Sequence, residues 1–153
     1  MKLSTRGRYA VMAMADLARH SGNGPETLSG IAQRQEISQA YLEQLFGKLR
    51  RAGLVASVRG PGGGYRLARP ASELPIADIV LAVDEPIKAT RCRSESSKGC
   101  LGKTGRCLTH DLWDELGTQI QLFLNSVTLA DVLEHRVKGR ARAAGAPESR
   151  VAA

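Results

Sequence analysis

Apolar residues recur at helical spacing from the beginning of the chain. Tyr9, Met12, Ala13, Asp16 and Leu17 fall on one side of a helical period, and Ser4 or Thr5 can accept the first free N–H groups, so the pattern predicts a helix ending near His20. Ser21-Gly22-Asn23-Gly24-Pro25 reads as a turn. A short helix from about Ser29 to Gln35 then buries Ile31 and Ala32, and Ser38 caps a longer helix, Gln39 to Ala52, closed by Gly53. Leu42, Leu45, Phe46 and Leu49 form the inner stripe of that second helix, leaving Tyr41, Glu43, Gln44 and Lys48 outward. A short helix, a turn and a second helix is the spacing of a helix-turn-helix, whose second helix enters the DNA major groove.

The period then changes. Leu54 to Arg59 and Tyr65 to Ala68 are β-prone runs on either side of Gly60-Pro61-Gly62-Gly63-Gly64, which predicts a hairpin with a glycine-rich tip. Helices followed by a hairpin bearing Arg59 and Arg66 define a mainly α fold with a small β-hairpin wing, a winged helix-turn-helix domain over residues 1–84. The glycine run is not a phosphate loop, because no Lys-Ser or Lys-Thr pair and no helix follow it. Helical spacing returns over Ser72 to Asp84, with Pro75 in the first turn and Ile76, Ile79, Val80 and Val83 facing inward.

From Lys88 to Arg106 the chain has almost no apolar residues, so it cannot bury a core and needs another constraint. Residues 85–110 are therefore expected to form a ligand-binding loop. Beyond it, Leu112, Leu116, Ile120, Phe123, Leu124 and Val127 make a long amphipathic helix whose stripe requires a partner. The same helix of a second copy supplies one and suits a palindromic DNA site; packing on its own domain is the alternative. Thr128 caps a short helix holding Leu129, Val132 and Leu133, so residues 111–136 read as a dimerisation helix with a short follower, and residues 137–153 as a disordered tail.

Charge sharpens this picture. Residues 1–70 contain eleven Lys and Arg against four Asp and Glu, and residues 71–153 contain eleven of each, so the net charge of +7 resides in the helix-turn-helix half. That asymmetry suits a polyanionic partner, since each basic group placed on a phosphate releases a counterion. The apolar stretch Tyr9 to Ala18 is short and interrupted by Asp16, which excludes a membrane span or secretory signal and places the protein in the cytoplasm. A reducing compartment keeps the three cysteines as thiols, and an odd number within one short segment cannot form a fully paired disulfide framework.

The chemistry lies in Cys92-x7-Cys100-x6-Cys107-x2-His110, where one loop can bring three soft thiolates and an imidazole to a single centre. Cys107 and His110 fall at the start of the amphipathic helix, whose dipole attracts negative charge, and Arg91, Arg93, Lys98, Lys103 and Arg106 surround the segment. Structural zinc and an iron-sulfur cluster fit three Cys and one His equally well by spacing alone. A catalytic thiol redox protein is disfavoured, because there is no C-x-x-C and no dinucleotide fold.

Leu3 to Val11, Tyr41-Leu42-Glu43-Gln44-Leu45-Phe46, the run Ser57 to Tyr65 and Cys107-Leu108-Thr109-His110 together resemble the IscR-like family of winged-helix transcription factors, over residues 1–136. The resemblance implies a homodimeric, non-enzymatic regulator that binds a 2Fe-2S cluster through Cys92, Cys100, Cys107 and His110, in preference to zinc. It implies repression of the protein's own iron-sulfur assembly operon when the cluster is bound, activation elsewhere, an imperfect inverted repeat in double-stranded DNA as operator, and cluster donor or assembly proteins as further partners. Regulators that sense nitric oxide or redox state, or that control cysteine metabolism, share the winged-helix half, but the Cys107 and His110 pair favours the IscR-like branch. Carried to matching positions, it implies DNA contacts from Ser38, Tyr41, Glu43 and Gln44 of the recognition helix and from Arg59, Gly60, Pro61 and Gly62 of the wing. A carboxylate beside DNA repels phosphates unless it accepts from a cytosine amine, so Glu43 would penalise wrong sites. Three departures stand out: Ala40 replaces a usual Ser, Glu36 occupies a turn position where Gly is common, and the cysteine gaps are longer than usual. At Glu36, a left-handed backbone would cost roughly 1 kcal/mol relative to glycine.

Overall fold

The computed structural model describes residues 4–89 and 105–139. Helix α1 spans Thr5–His20, and the Ser4 hydroxyl accepts the Arg6 N–H. A single 3-10 turn, Ser21–Asn23, leads to α2, Leu28–Gln35. This helix begins one residue before the expected start because Thr27 caps it by accepting the Gly30 N–H. Helix α3 spans Gln39–Arg51; Ser38 caps it and Gly53, at φ 73°, reverses the chain beyond it. Leu42, Leu45, Phe46 and Leu49 are buried, and α3 packs against α2 and α1.

The turn between α2 and α3 contains the left-handed residue that the family resemblance pointed to. Glu36 adopts φ 54° and ψ 43°, the left-handed region, and its N–H closes the helix on the Ala32 carbonyl. Strands β1, Val55–Val58, and β2, Gly64–Leu67, pair antiparallel in the register Val55 with Leu67 through Val58 with Gly64. The hairpin is widened by Glu26, which exchanges backbone hydrogen bonds with Tyr65 at 2.9 and 2.7 Å. That pairing on the far side of β2 was not expected from the sequence, where Glu26 lies between the Ser21 to Pro25 turn and the short helix that follows, without an assigned role.

A 3-10 turn, Ala71–Glu73, precedes α4, Ile76–Ala82. Pro75 is the residue before the first helical turn, where its missing N–H costs nothing. Ile76, Ile79, Val80 and Val83 are buried, and α4 packs against α1. Helix α5, His110–Ser126, and α6, Leu129–Leu133, complete the described elements. Thr128 and Asp131 form a capping box at the start of α6. Val127 and Leu129 belong to the same core as α1 and α3, and the Val127 and Leu74 carbonyls accept the Ile76 and Leu129 N–H groups at 2.8 Å each. The segment after α5 is thus stitched back onto the winged-helix core.

One buried charge organises the helix-turn-helix. Asp16 lies in the inward stripe of α1, yet its carboxylate accepts from Arg34 Nη2 at 2.6 Å, Arg34 Nε at 3.1 Å and Gln35 Nε2 at 2.8 Å. Arg34 also reaches Glu26 Oε2 at 2.8 Å. Burial alone would raise the Asp16 carboxyl, but hydrogen bonds from Arg34 and Gln35 outweigh it and hold the group below the usual carboxylate range. The same bonds raise the Arg34 guanidinium. The chain Asp16, Arg34, Glu26 joins α1, α2 and the wing.

Candidate nucleic-acid interface and ligand site

The outer surface of α3 and the wing form the first candidate site. Ser38, at the start of α3, is exposed and its hydroxyl accepts the Tyr41 N–H at 3.4 Å. Tyr41 is half-buried, with its ring edge-on to Tyr9 at 6.0 Å between centroids, so only part of it remains available outside. Glu43 and Gln44 are exposed, and Gln39 donates to the Glu43 carboxylate at 3.3 Å. Lys48, Arg50 and Arg51 occupy the last turn of α3, where cations also complement the helix dipole.

The wing presents Arg59, Gly60, Pro61 and Gly62 to solvent. Gly60 and Gly62 take φ 99° and 72°, and Gly63 N–H closes the tip on the Gly60 carbonyl at 2.9 Å. A Cβ at Gly63 would lie 2.3 Å from the Val58 carbonyl oxygen, and one at Gly64 2.3 Å from the Glu26 carbonyl oxygen. The two glycines are therefore required for the tip to fold back and for β2 to approach Glu26. Phe46 of α3 meets Tyr65 of β2 edge-on at 5.0 Å, which anchors the wing to the buried side of the recognition helix. Among the described residues Arg50, Arg59 and Arg66 make no ion pair, so their charge faces outward undiminished. Gly63, Gly64, Phe46 and Tyr65 act on the wing without having been singled out in the sequence as site residues; the Gly60 to Gly64 run was the signal for the two glycines, and the inner stripe and the second β-prone run marked Phe46 and Tyr65 only as structural.

The second candidate site lies at the start of α5. His110 is the first residue of that helix and is 5% exposed, while Cys107, half-buried, precedes it by three residues. The His110 N–H donates to the Cys107 carbonyl at 3.1 Å, and Cys107 Sγ lies 3.7 Å from Thr109 Oγ1. A tight turn thus brings a thiol and an imidazole to one helix end, a donor pair that suits an iron-sulfur cluster or zinc. Cys92 and Cys100 lie outside the described residues, and among the described ones no group of three potential ligands gathers. The cationic residues Arg91, Arg93, Lys98 and Lys103, and the tail from residue 140, also lie outside them.

A two-helix reading unit, an arginine-bearing wing with a glycine tip and a basic outer face define a winged-helix DNA-binding protein. Comparison with known proteins takes this further: the Rrf2 family model, described as an iron-dependent transcriptional regulator, matches residues 3–135, and the chain belongs to that family. It is 54% identical over 134 residues to the HTH-type transcriptional regulator IscR of Vibrio atlanticus, covering 88% of this chain and 76% of the relative. Among solved structures it resembles T. potens IscR, with a TM-score of 0.72, 42% identity and coverage of 89% and 88%. It resembles CymR, the global cysteine regulator of B. subtilis, as closely in shape, with a TM-score of 0.73 at 34% identity over 88% and 98% of the two chains. The protein is a DNA-binding transcriptional regulator, and these relatives are regulators rather than enzymes. Nearly equal TM-scores to IscR and CymR mean that shape identifies the reading head but not the signal. No described helix is long and apolar enough to cross a membrane.

Proposed function

We propose that this regulator senses a 2Fe-2S cluster held by Cys92, Cys100, Cys107 and His110 and, as a homodimer, reads an imperfect inverted repeat in double-stranded DNA. It represses its own iron-sulfur assembly operon when the cluster is bound. The observation that carries this reading is the placement of Cys107 and buried His110 on one turn at the head of α5, immediately after the cysteine-bearing segment. A bound cluster supplies an iron- and redox-responsive centre; the protein's part is to hold it and to convert its presence into a change at the DNA face. A histidine ligand must be neutral to bind, which makes cluster retention pH-dependent.

The dimer is supported by α5 itself. Leu112 and Trp113 are exposed, and Ile120, Phe123 and Leu124 on the same side of the helix are only partly covered by the rest of the chain. The same helix of a second copy would bury this surface and place two recognition helices about a two-fold axis, as an inverted repeat requires. On DNA, Ser38, Tyr41, Glu43 and Gln44 meet the major groove, Arg59 the minor groove, and Gly60, Pro61 and Gly62 the backbone.

The test is the visible spectrum of anaerobically purified protein with iron, sulfide and zinc analysis, repeated for His110→Ala. The reading predicts a coloured protein containing iron and sulfide whose spectrum changes in the variant. A colourless protein with stoichiometric zinc and no sulfide would leave a winged-helix regulator with a structural metal instead.

A further inference from the structure

Val83, Asp84 and Glu85 join α4 to the cysteine-bearing segment, and each is fastened to the DNA-binding half. The Arg6 guanidinium lies 3.4 Å from the Val83 carbonyl and 3.5 Å from that of Asp84. Ser4 donates its N–H to Glu85 Oε1 at 3.1 Å and its hydroxyl to Glu85 Oε2. Lys48 Nζ donates to Asp84 Oδ2 at 2.6 Å. Asp84 holds φ 58°, in the left-handed region that Asp and Asn enter more readily than other side chains.

Two features make the Lys48 contact more than a surface bridge. Lys48 follows Tyr41 and Gln44 at i+7 and i+4, so it lies on the outward face of the recognition helix. Downstream of Asp84, Ile87 is buried in the core, and the backbone at Ala89 lies against α5, where a Cβ on Gly117 would meet Ala89 N at 3.4 Å. A path therefore runs from Gly117 of α5 to Ala89, along the backbone to Asp84, and across the ion pair to Lys48. An exposed ion pair adds little to stability. It can be made or broken by a small shift of residues 84–85 without unfolding anything, which suits a coupling contact better than a structural one.

We infer that Asp84 and Lys48 are positioning residues that transmit the state of the cysteine loop to the recognition helix. The inference rests on the cluster-sensing reading above. Coupling exists only if the contact differs between the cluster-loaded and cluster-free states, so its measure is the ratio of operator affinities in those two states. Asp84→Asn keeps the side-chain shape and the backbone preference while removing the charge. Loss of a negative charge near DNA strengthens binding in both states alike and cancels in the ratio.

The experiment measures operator binding by fluorescence anisotropy for loaded and stripped protein, wild type and Asp84→Asn, with absorbance reporting cluster occupancy. The variant is expected to bring the ratio toward one by roughly two- to thirtyfold. Lys48→Gln, which leaves residues 83–89 untouched, is expected to do the same while also weakening binding overall. A wild-type ratio in either variant overturns the inference and leaves cluster sensing intact. A ratio of one in the wild type itself overturns the sensing reading, and the inference with it.

Discussion

Replacing Asp16 by Asn removes one negative charge from the place where α1, α2 and the wing are tied together. The Asp16 side chain is 1% exposed and its carboxylate accepts from both Arg34 and Gln35. Removing one member of a fully buried pair costs about 3–5 kcal/mol, because the other charge is stranded. Here Arg34 is 34% exposed and keeps Glu26 at 2.8 Å, so the cost is reduced to about 2–3 kcal/mol. With a urea dependence of about 1.5 kcal/mol per molar, the midpoint should fall by roughly 1–2 M at pH 7, at fixed protein concentration and with an unchanged slope.

The pH dependence carries an independent sign. The Asp16 carboxyl sits below its ordinary value in the folded protein, so its contribution is complete above the unfolded value of about 3.9 and is lost as pH falls through the folded one. The gap between wild type and Asp16→Asn should therefore be full at neutral pH and close on acidification below about pH 4. A gap under about 0.5 kcal/mol at pH 7, or one that persists unchanged in acid, would refute the account of this network.

The remaining predictions concern the turn and the wing. Glu36→Gly should stabilise the protein by about 0.5–1 kcal/mol in the same urea assay, since glycine enters the left-handed region without a Cβ penalty; destabilisation would show that Glu36 is not strained. Gly64→Ala should weaken operator binding at least about tenfold with little loss of helix content, because its Cβ would collide with the Glu26 carbonyl and push the wing away; normal affinity would mean the wing is dispensable. Arg59→Ala should lower operator affinity and reduce the salt dependence of binding by about one ion, as read from a titration across ionic strength; an unchanged slope would remove Arg59 from the backbone or minor groove.

Much of the reading head was legible in the sequence because its signals are local. Ser4, Ser38 and Gly53 mark helix ends by their own chemistry, and the wing follows from β-prone runs around a glycine tip. Glu36 was legible only through the family resemblance, which marks a turn position where glycine is common; nothing local in the sequence calls for a left-handed residue there. Long-range pairings were not legible. Asp16 shares the inward stripe of α1 with Leu17, and nothing local reveals that Arg34, eighteen residues later, neutralises it. The backbone pairing of Glu26 with Tyr65 and the return of Val127 and Leu129 to the first core depend on chain reversals that no local period encodes. At the candidate ligand site, the C-x-x-H spacing is local, and one turn links Cys107 to His110 through a backbone hydrogen bond; Cys92 and Cys100 lie outside the described residues.

The most direct test of the central claim measures one preparation against one DNA duplex carrying the inverted repeat, first with its cluster and then after the cluster is removed anaerobically. Cluster sensing predicts operator affinities that differ by at least about fivefold between the two states, with the difference abolished in His110→Ala. Equal affinities at every operator tested would contradict it, leaving a DNA-binding regulator of this family whose signal lies elsewhere.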